Sequence, residues 1–171
     1  MLTLPLLLFS LTLSAEPFAG AAHQRWSPQE SSCVVSHVVD GDTFRCRDGR
    51  KVRLIGIDAP ERQQSFSSVA GHALVRLLPS GTAVRLERDA ALTDRYGRLL
   101  AYVWVGSALV NEAMVRDGWA VLYTVPPNVK YAERFSRAQK EARARGAGLW
   151  AQRGFDCLPS EFRRRRCVSS P

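Results

Sequence analysis

Three short clusters in this chain carry residue types that together suit attack on a phosphodiester: Asp40-Gly41-Asp42-Thr43, Arg53 with the run Asp58-Ala59-Pro60-Glu61, and Asp94-Arg95-Tyr96-Gly97-Arg98. Hydrolysis of such an ester needs a cation to offset charge, a carboxylate to activate water, and planar donors to grip the non-bridging oxygens. Asp42 and Asp58 are the expected ligands of a hard cation, calcium or a similar ion, because carboxylates from two strand ends can converge where neither alone would hold it. Pro60 fixes the backbone so that the Ala59 carbonyl can face the cation while Glu61 reaches past it as general base. Arg53 and Arg98 are the expected phosphate clamps.

Each piece has a plainer reading. Asp-Gly pairs dominate hairpin turns for backbone reasons alone. Glu61 could be a surface carboxylate paired with Arg62, and Arg98 an ordinary strand-start arginine. Arg53 sits in the apolar run Val52 to Ile57, on the alternating face expected to hold Ile55 and Ile57, so it must reach a mouth or find an acidic partner among Asp40, Asp58 and Glu61. The combination, rather than any single piece, carries the catalytic reading.

Positioning these groups requires a particular set of elements. Val34–Val39, Thr43–Arg47 and Lys51–Ile57, separated by Asp40-Gly41 and Asp48-Gly49, read as a three-strand meander. Ala83–Arg88, where Val84 and Leu86 alternate with Arg85 and Glu87, and Arg98–Val105 bring the strands to five. Ala70, Ala73, Leu74, Leu77 and Leu78 recur at helical spacing, with serines upstream as caps and Pro79-Ser80-Gly81 as the stop. A second helix is expected over about 107–117 with Gly118 as terminator, and a third over about 128–145 with Tyr131, Phe135, Ala138 and Ala142 on its buried stripe. The fold class is therefore α+β: a five-stranded barrel of the oligonucleotide and oligosaccharide-binding type carrying three helices. The expected organisation is a signal peptide over 1–22, a barrel domain over 30–153 and a basic tail over 154–171. The tail shows no periodicity, and its run Arg163–Arg166 reads either as a solvated face or as a phosphate-contacting arm.

The address follows from the ends and the cysteines. Leu2–Leu13 is almost wholly apolar, too short to span a bilayer, and leads to Ala19-Gly20-Ala21-Ala22, which suits signal-peptidase cleavage. A tethering helix is the competing reading; the expected destination is secreted or periplasmic. The net charge of +8 includes Glu16 and no basic residue from that segment, so the mature chain carries +9. With a pI of about 9.9, the chain attracts polyanions, nucleic acid first and anionic surface polymers second. Four cysteines, Cys33, Cys46, Cys157 and Cys167, permit three connectivities. Adjacent strands favour Cys33 with Cys46, leaving Cys157 with Cys167. Zinc is disfavoured, because no Cys-x-x-Cys occurs and His23, His37 and His72 are scattered.

Taken in order, Asp40-Gly41-Asp42-Thr43, Arg53-Leu54, Asp58-Ala59-Pro60-Glu61, Asp94 through Tyr102, Val110-Asn111-Glu112-Ala113 and Gly148-Leu149-Trp150 resemble the staphylococcal nuclease (thermonuclease) family over about 34–150. The resemblance implies a calcium-dependent nuclease that cuts DNA and RNA to leave 3′-phosphate ends and acts as a monomer. It implies Asp42, Asp58 and the Ala59 carbonyl as calcium ligands, Glu61 as the base, Arg53 and Arg98 as catalytic clamps, and Arg95, Tyr96 and Tyr123 as substrate contacts. Ala59 replaces a frequent threonine, a neutral change where the ligand is a main-chain oxygen. The stretch 62–68 is shorter than the loop of the best-known member and lacks its lysines, and Tyr123 alone represents an aromatic pair. Two rivals remain beside the enzyme: a barrel that only binds nucleic acid, and a basic protein that binds the cell envelope.

Overall fold

The computed structural model describes residues 30–167, so the expected signal segment lies outside the described residues. The first strand, β1 (Glu30–Asp40), turns at Gly41 into β2 (Thr43–Cys46), and β2 turns again into β3 (Lys51–Leu54). A short β4 (Ile57–Asp58) precedes the helix α1 (Ser67–Leu77), after which β5 (Ala83–Glu87) and β6 (Leu99–Val105) follow. Then come β7 (Ala108–Leu109), α2 (Val110–Arg116), β8 (Val121–Leu122), α3 (Ala132–Ala144), a 3-10 turn at Gly148–Trp150 and α4 (Pro159–Arg163).

Five strands close on themselves. β1 pairs antiparallel with β2 and β5, β2 with β3, β5 with β6, and a parallel pairing of β3 with β6 seals the ring. Closure removes free edges and directs alternate side chains inward. Phe44 and Cys46 are buried while Arg45 and Arg47 face solvent, the alternation expected of a half-buried strand. Val35, Val52, Leu54, Leu86, Ala101 and Val103 complete the interior, and Leu74 of α1, Met114 of α2 and Phe135 of α3 extend the same core outward.

Asn111 ties this core together. It is fully buried; its side-chain oxygen accepts the Val103 N–H at 2.8 Å, and its amide donates to the Ile55 and Ala101 carbonyls at 2.9 and 3.3 Å. One side chain thus ties backbone groups of β6 to the exit of β3, adding a second donor to the Ala101 carbonyl that the Ile55 N–H already reaches at 3.0 Å. Cys33 is bonded to Cys46 across β1 and β2, and Cys157 to Cys167 around α4.

Several expectations need correction. The third strand stops at Leu54, because Gly56 adopts a positive φ of 77° and the chain turns before β4. The alternation is reset there: Ile55 and Ile57 are buried, whereas Arg53 lies on the face opposite Val52 and Leu54. Serines do not cap α1; Phe66 stands at the N-cap in a left-handed conformation, and the Ser67 hydroxyl donates instead to the Arg62 carbonyl. The second helix is shorter than expected, since Ala108–Leu109 is drawn into pairing with β6, and the third begins at Ala132. Glu87 is buried rather than outward, held by Trp104 Nε1 at 2.8 Å, the Tyr131 hydroxyl at 3.1 Å and Lys130. The tail is not structureless: α4 gives the described chain a fourth helix.

Candidate functional site

The barrel register brings the sequence clusters to one mouth. Asp40 is paired with Thr43 across the first turn, and Thr43 with Arg53 across the next strand pair. The Gly41-Asp42 turn packs tightly: a β-carbon at Gly41 would lie 2.6 Å from that of Ala59 and 2.8 Å from that of Ala70. Only glycine lets the turn approach the Asp58-Ala59 segment and α1 this closely. Asp42 then anchors that segment by accepting the Ala59 N–H at 3.0 Å and the Thr43 hydroxyl at 3.0 Å.

Arg53 stands between the two candidate ligands. Its Nη2 lies 3.1 Å from Asp42 Oδ2 and 3.1 Å from Asp58 Oδ1, and its Nη1 donates to the Leu54 carbonyl at 2.6 Å. Both carboxylates are buried. Arg98 lines the same cleft, of about 740 Å³. It is held by Asp94, whose Oδ2 accepts its Nε at 2.6 Å while Oδ1 accepts the backbone N–H groups of Tyr96 and Arg98 at 2.9 and 3.0 Å. Asp94 is thereby a turn-former and a guanidinium anchor at once. Arg98 Nη1 also reaches Thr43 Oγ1 at 3.4 Å.

The proposed substrate contacts line this cleft too. Tyr96 is 66% exposed, with the Arg95 guanidinium over its ring at 4.8 Å and that of Arg98 at 5.5 Å. A ring this exposed offers a face for a nucleobase. Tyr123, half-buried, lies under the Arg163 guanidinium at 5.4 Å.

Glu61 opens towards solvent at the junction of this cleft with the tail. Its partner is not Arg62, as the plainer reading had it, but Arg163, whose Nη1 donates to Glu61 Oε1. The same guanidinium grips both oxygens of Asp58, at 2.9 and 2.8 Å. A second tie comes from Gln64, which accepts the Glu61 N–H at 3.1 Å and donates to the Cys157 carbonyl at 2.6 Å. The sequence singled out Arg163 only as part of a basic run; neither it nor Gln64 was assigned to the site. No local signal could have done so, because the contact spans 105 positions.

Negative charge is concentrated here. Burial first, and then the neighbouring Asp42 charge, push Asp40 up to about 6. Burial also lifts Asp58 above its ordinary range, an effect countered by its hydrogen bonds to Arg163 and the charge of Arg53. Among the described residues no group of three or more His, Cys, Asp or Glu forms a metal cage. Two hard carboxylates with a main-chain carbonyl nearby do suit a cation whose remaining positions are filled by water and substrate phosphate.

Comparison with known proteins gives a consistent set of relatives. The family model described as staphylococcal nuclease homologue matches residues 51–152, a span that holds Arg53, Asp58, Glu61 and Arg98 but begins after Asp42 and ends before Arg163. The chain is 38% identical over 131 residues to the thermonuclease of Staphylococcus hyicus, covering 71% of this chain and 77% of that protein. It is 38% identical over 128 residues to the thermonuclease of Staphylococcus intermedius, covering 70% and 76%. With endonuclease YncB of Bacillus subtilis it shares 32% identity over 151 residues, covering 82% and 71%.

Proposed function

Since the chain belongs to the staphylococcal nuclease family, we propose that it is a calcium-dependent endonuclease that hydrolyses DNA and RNA by attack of water on phosphorus, leaving 3′-phosphate ends. The observation that carries the reading is the position of Arg53, with one nitrogen 3.1 Å from each of two buried aspartates and with Arg98 lining the same cleft. In this reading Asp42, Asp58 and the Ala59 carbonyl hold calcium, which when bound offsets charge on the phosphoryl oxygens. Glu61, the least buried carboxylate of the group, accepts a proton from water. Arg53 and Arg98 hold the phosphate, each contributing most where charge gathers in the transition state; loss of such a donor costs ~10²- to 10³-fold in rate. Arg95, Tyr96 and Tyr123 contact the nucleotides.

Residues 30–153 serve as the catalytic barrel and 154–171 as an accessory tail of a monomeric protein. Two disulfides and an excess of basic charge favour a secreted or periplasmic setting. Digestion of single-stranded DNA and of RNA, with calcium and then with chelator, tests the proposal. Cleavage of both that stops on chelation and leaves 3′-phosphates supports it. Retained cleavage in chelator, or tight binding without cleavage, refutes it.

A further inference from the structure

A second cleft, of about 830 Å³, lies between the loop after Glu61 and the disulfide-closed tail. Glu61, Arg62 and Arg163 line both clefts, so the two adjoin at the proposed catalytic carboxylate. The walls of the second are basic: Arg62, Arg153, Arg163 and Arg165 outnumber Glu61 and Asp156. Arg153 is paired with Asp156 at 2.7 Å and Arg163 with Asp58 and Glu61. The guanidiniums of Arg62 and Arg165 are exposed, and each has no side-chain partner among the described residues. Phe66 and Phe162, both half-buried, add aromatic surface to the same walls.

Backbone conformation marks this cleft as well. Phe66, Arg153 and Arg165 are the three described non-glycine residues with positive φ, at 67°, 56° and 55°, and all three line it. Such conformations persist where surrounding structure enforces them, and here both the loop and the tail are held by covalent or hydrogen-bonded ties.

We propose that this cleft is a binding track for the single strand flanking the scissile phosphate, with Arg62 and Arg165 contacting successive phosphates and Phe162 offering a stacking face to a base. Unpaired guanidiniums beside an aromatic ring form the combination that holds single-stranded nucleic acid with little sequence preference. The shared wall at Glu61 sets the tail cleft next to the cutting site, where the flanking strand would leave it. The family model ends at residue 152, so the tail wall of the track, from Arg153 to Cys167, lies outside the matched span, whereas Arg62 and Phe66 lie within it. The inference rests on the catalytic reading for where the scissile phosphate sits, but not on the identity of the cation.

The test compares the full-length protein with its Arg62→Ala/Arg165→Ala and Phe162→Ala variants. Affinity for a long oligothymidylate is read by fluorescence anisotropy in chelator, and kcat/KM is measured with calcium for that strand and for a dinucleotide too short to enter the track. The expected result is roughly tenfold weaker binding for each variant. For the double variant, the slope of log affinity against log salt also becomes shallower by about 1.4. The ratio of long-strand to dinucleotide kcat/KM falls by a similar factor. An unchanged ratio overturns the proposal, whether affinity holds or falls, because the contacts would then lie off the path of the cleaved strand. A parallel loss on both substrates overturns it too. Failure of the catalytic reading is seen separately, as cleavage that survives Glu61→Gln.

Discussion

Arg163 holds both carboxylate oxygens of Asp58, at 2.9 and 2.8 Å, although the two residues are 105 positions apart. Asp58 is also the aspartate that Arg53 contacts at 3.1 Å, so two guanidiniums occupy a carboxylate proposed to bind calcium. The tail and the cation therefore draw on the same lone pairs. Arg163→Ala should strengthen calcium binding by roughly tenfold, since charge-assisted hydrogen bonds contribute on the order of 1.5 kcal/mol or more. Calorimetric titration checks this; weaker calcium binding in the variant would show that Arg163 supports the ion site instead.

The Gly41 turn gives a prediction about packing. An alanine there meets the β-carbons of Ala59 and Ala70 at 2.6 and 2.8 Å. Both neighbours lack rotatable side chains, so the backbone must shift, at a cost of about 1–3 kcal/mol. Gly41→Ala should lower the denaturation midpoint accordingly and reduce cleavage more than substrate affinity, because the displaced segment carries Asp42 and Ala59. Equal stability of variant and parent would contradict the packing.

Asp94 yields a pH dependence. Burial works against its ionisation, but hydrogen bonds from the Arg98 side chain and from the Arg98 and Tyr96 backbone outweigh it and hold the carboxyl below its ordinary value of 3.8. A carboxylate depressed on folding stabilises the protein above the unfolded value, and that contribution is lost as pH falls through the folded one. The stability difference between parent and Asp94→Asn should thus be constant from neutral pH to about 5 and shrink below it. Thermal melts across that range measure it; a difference that widens on acidification would reverse the sign.

Much of the fold was legible because short-range patterns coincide with what the barrel buries. Phe44 and Cys46 against Arg45 and Arg47 announce a half-buried strand, and Ala70, Ala73 and Leu74 announce the inner face of α1. Asp42, Arg53, Asp58 and Arg98 were legible because each sits at a strand end or turn whose residues have few other reasons to occur together. What escaped was tertiary. Gly56 resets the alternation after Leu54, so Arg53 does not share a face with Ile55. Glu87 reads as outward until Trp104, Lys130 and Tyr131 enclose it. Arg163 belongs to a run indistinguishable from a solvated patch until the Cys157–Cys167 disulfide folds it against Asp58.

The most direct measurement is single-turnover cleavage of single-stranded DNA by the Glu61→Gln variant, with anisotropy binding measured alongside. Glutamine keeps the size of the side chain and removes its basicity. The rate should drop by roughly 10²- to 10⁴-fold with affinity retained. Cleavage within a fewfold of the parent would contradict the assignment of the water-activating carboxylate on which the account depends.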